Sequence, residues 1–122
     1  PREPPPLKSD RESRNIRMPE ITVCSSEELP EGAMRLVETD DGRKIGVFRC
    51  AGGELLAIED RCSHDDGPLA EGPFDPKACT VECPRHGSLF DLRTGRPRSL
   101  PAYAPVETFA AREVDGHVKL EV

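Results

Sequence analysis

Aromatic residues are scarce. No tryptophan, one tyrosine and four phenylalanines occur in 122 residues, alongside only three histidines. A nucleic-acid interface needs a basic stripe with interleaved stacking residues, and no such stretch exists here. No apolar run is long enough to cross a bilayer as a helix, and the N-terminus lacks a secretory hydrophobic region. The chain therefore reads as soluble and cytoplasmic, with neither nucleic acid nor membrane as a partner. Helical stripes of useful length and internal repeats are missing too. Cysteine occurs five times, an odd number that argues against a simple disulfide framework.

The length fits one domain with a modest core. Residues 1–19 open with Pro1-Arg2-Glu3-Pro4-Pro5-Pro6 and lack apolar periodicity. They are expected to form a disordered tail, leaving 20–122 for the fold. Met18 is as good a candidate start as Pro1, so residues 1–17 are either a native extension or an addition. The net charge of −6 is uneven: residues 1–20 carry five bases and four acids, whereas Glu54 to Asp75 holds seven acids against Arg61 alone. Such acids steer encounter with a basic partner, although ordinary solubility explains them equally well.

The pattern is one of short strands broken by turns. Ile21–Cys24 alternates, and Ser25-Ser26-Glu27-Glu28 suits a capped helical turn. Ala33–Thr39 and Lys44–Arg49 flank Asp40-Asp41-Gly42, a hairpin signal. Further strands are expected at Glu54–Ile58, Cys79–Glu82 and Leu89–Asp91. Val106–Val114 and His117–Val122 alternate around Asp115-Gly116 as a second hairpin. Turn signals every eight to twelve residues indicate an all-β sandwich or small barrel.

Two clusters carry the chemistry: Cys62-Ser63-His64 and Cys83-Pro84-Arg85-His86, with eighteen residues between His64 and Cys83. Each pairs one thiol with one imidazole close enough for a single loop to supply two metal bonds. Thiolates neutralise cationic charge, and neutral imidazoles complete the coordination without adding any. Ligand identity alone permits a tetrahedral zinc site as well as other metal centres.

The wider context is more specific. Cys62-Ser63-His64 followed by Gly67-Pro68-Leu69, together with Cys83-Pro84-Arg85-His86-Gly87-Ser88-Leu89-Phe90-Asp91, resembles the two cluster-binding loops of Rieske iron–sulfur proteins. Arg93-Thr94-Gly95 and the stretch Pro97 to Pro105 are similar to the segment C-terminal to those loops in the family. The resemblance spans about residues 20–122. It implies one [2Fe–2S] cluster per chain, with Cys62 and Cys83 on one iron and His64 and His86 on the other. It also implies a Rieske-like antiparallel β-sandwich with a small cluster-binding subdomain, its loops at about 60–70 and 83–91. Imidazole in place of thiolate lowers the negative charge of the reduced centre. The potential then falls within roughly −150 to +300 mV.

Departures from the high-potential branch narrow that range. Rieske subunits of respiratory complexes carry an extra cysteine in each loop, joined as a disulfide beside the cluster. Gly67 and Arg85 occupy those positions here, so that bridge cannot form. A tyrosine of the same branch aligns with Phe90, which has no hydroxyl, whereas Ser88 matches its serine and could donate to a sulfide. A low-potential, ferredoxin-like centre is expected. Cys24, Cys50 and Cys79 are expected to pack as small apolar residues, Cys79 being the nearest rival ligand. His117 follows a turn and reads as a solvated surface residue. Pro68, Leu69 and Pro101-Ala102-Tyr103 either shield the cluster or simply pack the loops.

By resemblance, the leading function is a one-electron carrier without its own substrate site, monomeric when free. It would pass electrons from a ferredoxin reductase to a terminal enzyme such as a ring-hydroxylating dioxygenase. Related small Rieske proteins accompany nitrite reductases or iron–sulfur and sulfur-metabolism systems. An oxygenase component would need a mononuclear iron held by two histidines and a carboxylate. With two of the three histidines in the quartet, His117 cannot supply that site. A structural Cys₂His₂ zinc module is the remote third reading.

Overall fold

The computed structural model describes residues 20–64 and 67–122; the expected tail, residues 1–19, lies outside them, as do Asp65 and Asp66. The strands are β1 (Glu20–Ser25), β2 (Met34–Glu38), β3 (Lys44–Arg49), β4 (Leu55–Glu59), β5 (Phe74–Asp75), β6 (Thr80–Glu82), β7 (Leu89–Asp91), β8 (Thr108–Phe109), β9 (Ala111–Val114) and β10 (His117–Glu121). They form three antiparallel sheets, ordered β1-β10-β9, β2-β3-β4-β8 and β5-β6-β7. The all-β expectation holds, and the one helical element among the described residues is a 3₁₀ turn at Ser26–Glu28. Glu28 anchors that turn, its carboxylate accepting from the Ser25 N–H at 3.0 Å and the Ser25 hydroxyl at 3.2 Å.

Strand β3 explains how the sheets are layered. Its residues are buried from Ile45 through Arg49, because side chains of alternate parity enter two different cores. Ile45 and Val47 join Ala57, Val118 and Leu120 in one core. Phe48, with Cys50 and Ile58, belongs to the other, which also contains Val81, Phe90, Cys62 and Cys83. The four-stranded sheet is therefore covered on both faces, and one covering is the metal-site region itself. Phe48 stacks edge-on against Phe74 of β5, with centroids 4.9 Å apart. Arg49 is buried, and its charge is satisfied. Its Nε donates to the Leu29 carbonyl at 2.8 Å, and an Nη reaches Gly53 O and Glu113 at 3.0 and 3.1 Å.

Both expected hairpins form. At the second, Asp115 and Gly116 adopt φ of 51° and 78°, the paired left-handed conformation that a tight two-residue connection needs. The stretch Val106–Val114 is a correction. It is not one strand: β8 pairs with β4, and β9 pairs with β10 in another sheet. Alternation marks the segment as extended but carries no record of where it changes partners.

A second correction concerns cysteine. Cys50 and Cys79 are joined by a disulfide, with Cα atoms 5.6 Å apart and a sequence separation of 29. Both are fully buried. Of the three cysteines expected to pack as thiols, Cys24 alone does so. The bridge ties the end of β3 to the turn before β6, stapling the small sheet onto the middle one. An odd total concealed this, since one pair, two members of the quartet and one leftover also make five.

Candidate metal centre

The first loop runs from β4 to β5 and is held mainly by one side chain. The Asp60 carboxylate accepts from the backbone N–H groups of Leu69 at 2.9 Å and Ala70 at 2.7 Å. Within the loop, the Cys62 N–H donates to the Gly67 carbonyl at 2.8 Å. Ala70 seats on β3 at Gly46, where an added Cβ would lie 2.6 Å from the Ala70 Cβ.

Backbone geometry holds the second loop. It is the connection of the β6–β7 hairpin, closed by Cys83 N–H to Ser88 O at 2.8 Å and Gly87 N–H to Cys83 O at 2.9 Å. The two loops meet at Gly72. A Cβ there would stand 1.8 Å from the Glu82 carbonyl oxygen, so only glycine allows this approach.

The chain from Pro97 to Pro105 spans both loops. Pro97 bridges Phe90, Ala102 N–H donates to the Ser88 hydroxyl oxygen at 2.9 Å, and the Ser63 hydroxyl donates to the Ala104 carbonyl. Tyr103 thus sits between one residue pinned to each loop. Leu69 and Ala102 are buried, whereas Pro68 is exposed and Tyr103 is 85% exposed. Of the segments that were either shielding or packing, only the first pair covers anything inside the protein.

The quartet is sorted by depth. Cys62 and Cys83 lie at 0% and 1% exposure in the apolar core, and neither is in a disulfide. His64 and His86 are exposed at the surface, their rings edge-to-face with centroids 4.8 Å apart. Buried thiolates and surface imidazoles from adjoining loops suit a two-iron centre with one iron inward and one outward. Among the described residues, no three His, Cys, Asp or Glu side chains are arranged to enclose a single metal ion. The division by depth favours the paired ligands of a cluster over tetrahedral zinc. Ser88 is fully buried, and with its oxygen accepting from Ala102 its own proton remains available to donate. Phe90 lies fully buried on β7, two residues further along the chain.

The other candidates fall away from this site. Cys79 is committed to Cys50. His117 begins β10 in a different sheet, exposed, with Nδ1 3.1 Å from the Asp115 carbonyl. Sequence reasoning missed the loop-holding roles of Asp60 and Gly72 because neither belongs to the Cys and His pattern; only the packed backbone around them reveals those roles. It also missed a charge contrast that is countable in the chain. Residues 60–71 carry Asp60, Asp65, Asp66 and Glu71 against Arg61, whereas 83–98 carry Arg85, Arg93, Arg96 and Arg98 against Asp91. Arg93 is engaged, since its hydrogen bond to the Glu54 carboxylate at 3.0 Å holds its guanidinium more firmly protonated.

The family pattern described as the Rieske [2Fe-2S] domain matches residues 20–110. The chain belongs to the Rieske [2Fe-2S] domain family. Its cofactor is accordingly a [2Fe–2S] cluster. Among similar Rieske proteins is the 3-phenylpropionate/cinnamic acid dioxygenase ferredoxin subunit of Photorhabdus laumondii subsp. laumondii. It is 42% identical over 106 residues, covering 86% of this chain and 96% of that protein. The subunit of the same description from Escherichia coli (strain K12) is 36% identical, covering 86% and 95%. Among solved structures, a chain in the complex of reduced oxygenase and oxidized ferredoxin in carbazole 1,9a-dioxygenase superposes with a TM-score of 0.77. Its identity is 31%, with coverage of 84% and 92%. The ferredoxin of carbazole 1,9a-dioxygenase from Nocardioides aromaticivorans IC177 also gives 0.77, at 29% identity and coverage of 84% and 96%.

Proposed function

We propose that this Rieske protein is the electron carrier of a ring-hydroxylating dioxygenase system, taking single electrons from a ferredoxin reductase to a terminal oxygenase. One observation carries the reading: two buried thiols and two surface imidazoles converge from adjoining loops, on a chain that covers almost the whole length of dioxygenase ferredoxin subunits. Cys62, His64, Cys83 and His86 would hold the cluster. When bound, the cluster supplies reversible one-electron chemistry at a potential that the two neutral imidazoles raise above that of an all-thiolate centre.

The protein's own residues set the terms of that chemistry. Cys62 and Cys83 keep the thiolate end in an apolar surrounding away from water. His64 and His86 form the exposed end, where a partner can approach most closely. Ser88 carries a buried hydroxyl proton that would donate to the cluster, whereas Phe90 has none to give, and that missing donor supports a low-potential centre. The carrier needs no substrate pocket of its own, and we assign it none. We place it in the cytoplasm, where reductases draw on soluble donors. No helix among the described residues is long and apolar enough to cross a membrane. The disulfide is unusual for that compartment, and its complete burial keeps it from thiol reductants.

Anaerobically prepared protein should contain iron and acid-labile sulfide in the cluster's proportions and absorb in the visible. Zinc without sulfide would overturn the assignment. With the reductase and oxygenase of a 3-phenylpropionate dioxygenase, the holoprotein should restore substrate-dependent oxygen consumption. A redox titration should place the midpoint in the lower part of the Rieske range.

A further inference from the structure

Three of the four large apolar side chains exposed among the described residues belong to one short stretch: Leu89 at 37%, Leu100 at 78% and Tyr103 at 85%. The fourth is Leu36 on β2. Two arginines lie in the same stretch, although Asp75 and Glu82 line the surface cavity that Leu89 and Arg98 share. Arg96 and Arg98 are exposed, and Arg98 runs beside Leu89, its N–H donating to the Leu89 carbonyl at 2.6 Å. Tyr103 is held between Ala102, bonded to Ser88 of the second loop, and Ala104, bonded to Ser63 of the first. It therefore stands over the same end of the protein as the exposed imidazoles. Nothing inside the fold needs these side chains in water.

We propose that Tyr103 and Leu100 are the apolar anchors by which the terminal oxygenase docks, with Arg96 and Arg98 meeting carboxylates on its surface. The proposal rests on the carrier reading and adds the chemistry of the partner: an apolar socket with an acidic rim on this flank. Aromatic anchors ringed by charge are how interfaces concentrate affinity and set orientation. An acidic rim would be drawn to the exposed Arg96 and Arg98.

The test uses the holoprotein and the oxygenase of a 3-phenylpropionate dioxygenase, with affinity measured calorimetrically and electron transfer by stopped flow. The Tyr103→Ala/Leu100→Ala variant should bind the oxygenase at least tenfold more weakly, with visible spectrum and midpoint potential unchanged. Tyr103→Phe should retain most of the affinity. Arg98→Glu should weaken binding at low salt and approach the unmodified protein at high salt, as screening predicts. Full affinity in the double variant overturns the proposal, as does a defect confined to reduction by the reductase. Failure of the unmodified holoprotein to bind or reduce the oxygenase would instead overturn the carrier reading.

Discussion

The two loops that carry the proposed ligands are held by opposite means. The first is a long excursion between two sheets, pinned by the Asp60 carboxylate and closed inside the ring that the Cys50–Cys79 bridge completes. The second is the tip of a hairpin, held by its own backbone ladder and outside that ring. The segments around them differ in charge as well, since residues 60–71 are mainly acidic, whereas Arg93, Arg96 and Arg98 follow the second loop. A matched pair of proposed ligands therefore does not require matched scaffolds. Each loop needs only enough fixed backbone to present one inward thiol and one outward imidazole.

The largest effect tests where the loops are equivalent. Cys62→Ser and Cys83→Ser should each abolish cluster incorporation, because a hydroxyl is a poor replacement for a soft thiolate. Iron and sulfide analysis would show it, and a cluster retained in only one variant would break the symmetry of the pair.

The disulfide separates them. Replacing both Cys50 and Cys79 by alanine releases a closure of 29 residues, worth roughly 3–4 kcal/mol by chain entropy. Hydrogen exchange should then rise at amides of the first loop more than at those of the second. Equal protection in both would contradict that contrast.

Asp60→Ala leaves two buried amides without their acceptor, at about 1–3 kcal/mol each. It should loosen the first loop selectively, and Asp60→Asn, which keeps one acceptor oxygen, should do so less. Denaturant midpoints of the two variants would rank them. Gly72→Ala acts on both loops at once, since a methyl group cannot share space with the Glu82 carbonyl. Forced repacking of this kind costs about 1–3 kcal/mol, read as a lower unfolding temperature and slower cluster incorporation.

The smallest effect lies away from both loops and serves as their control. The Ser25 N–H and hydroxyl hold the Glu28 carboxyl below its ordinary value of 4.5. Its folded form therefore favours the charged state. The stabilisation is present above pH 4.5 and is lost as pH falls through the lower folded value. Glu28→Gln should remove that small increment near neutrality while leaving cluster content and spectrum unchanged. Stability curves against pH would check it.

Much of the site is legible in the chain alone. Cys62, His64, Cys83 and His86 stand in local patterns short enough to be read residue by residue, and the hairpins at Asp40-Asp41-Gly42 and Asp115-Gly116 announce themselves through turn chemistry. Strand alternation is equally local. The strand break at Ala110 is not, because it records a change of neighbour rather than a change of conformation. Nor is the two-residue β5, too short to show a period. Cys50 and Cys79 become a pair only when β3 and the turn before β6 are packed together.

The sequence by itself determined the family and the all-β character and supplied the proposed donor set, since each rests on residue types at short spacing. Tertiary structure alone decided the rest. It put thiols inside and imidazoles outside, chose which cysteines bond, and let Gly72 bring the loops together. It also left Leu100 and Tyr103 in water beside the site. Those outcomes depend on which distant segments share a surface, and burial, unlike pattern, is a property of the packed whole.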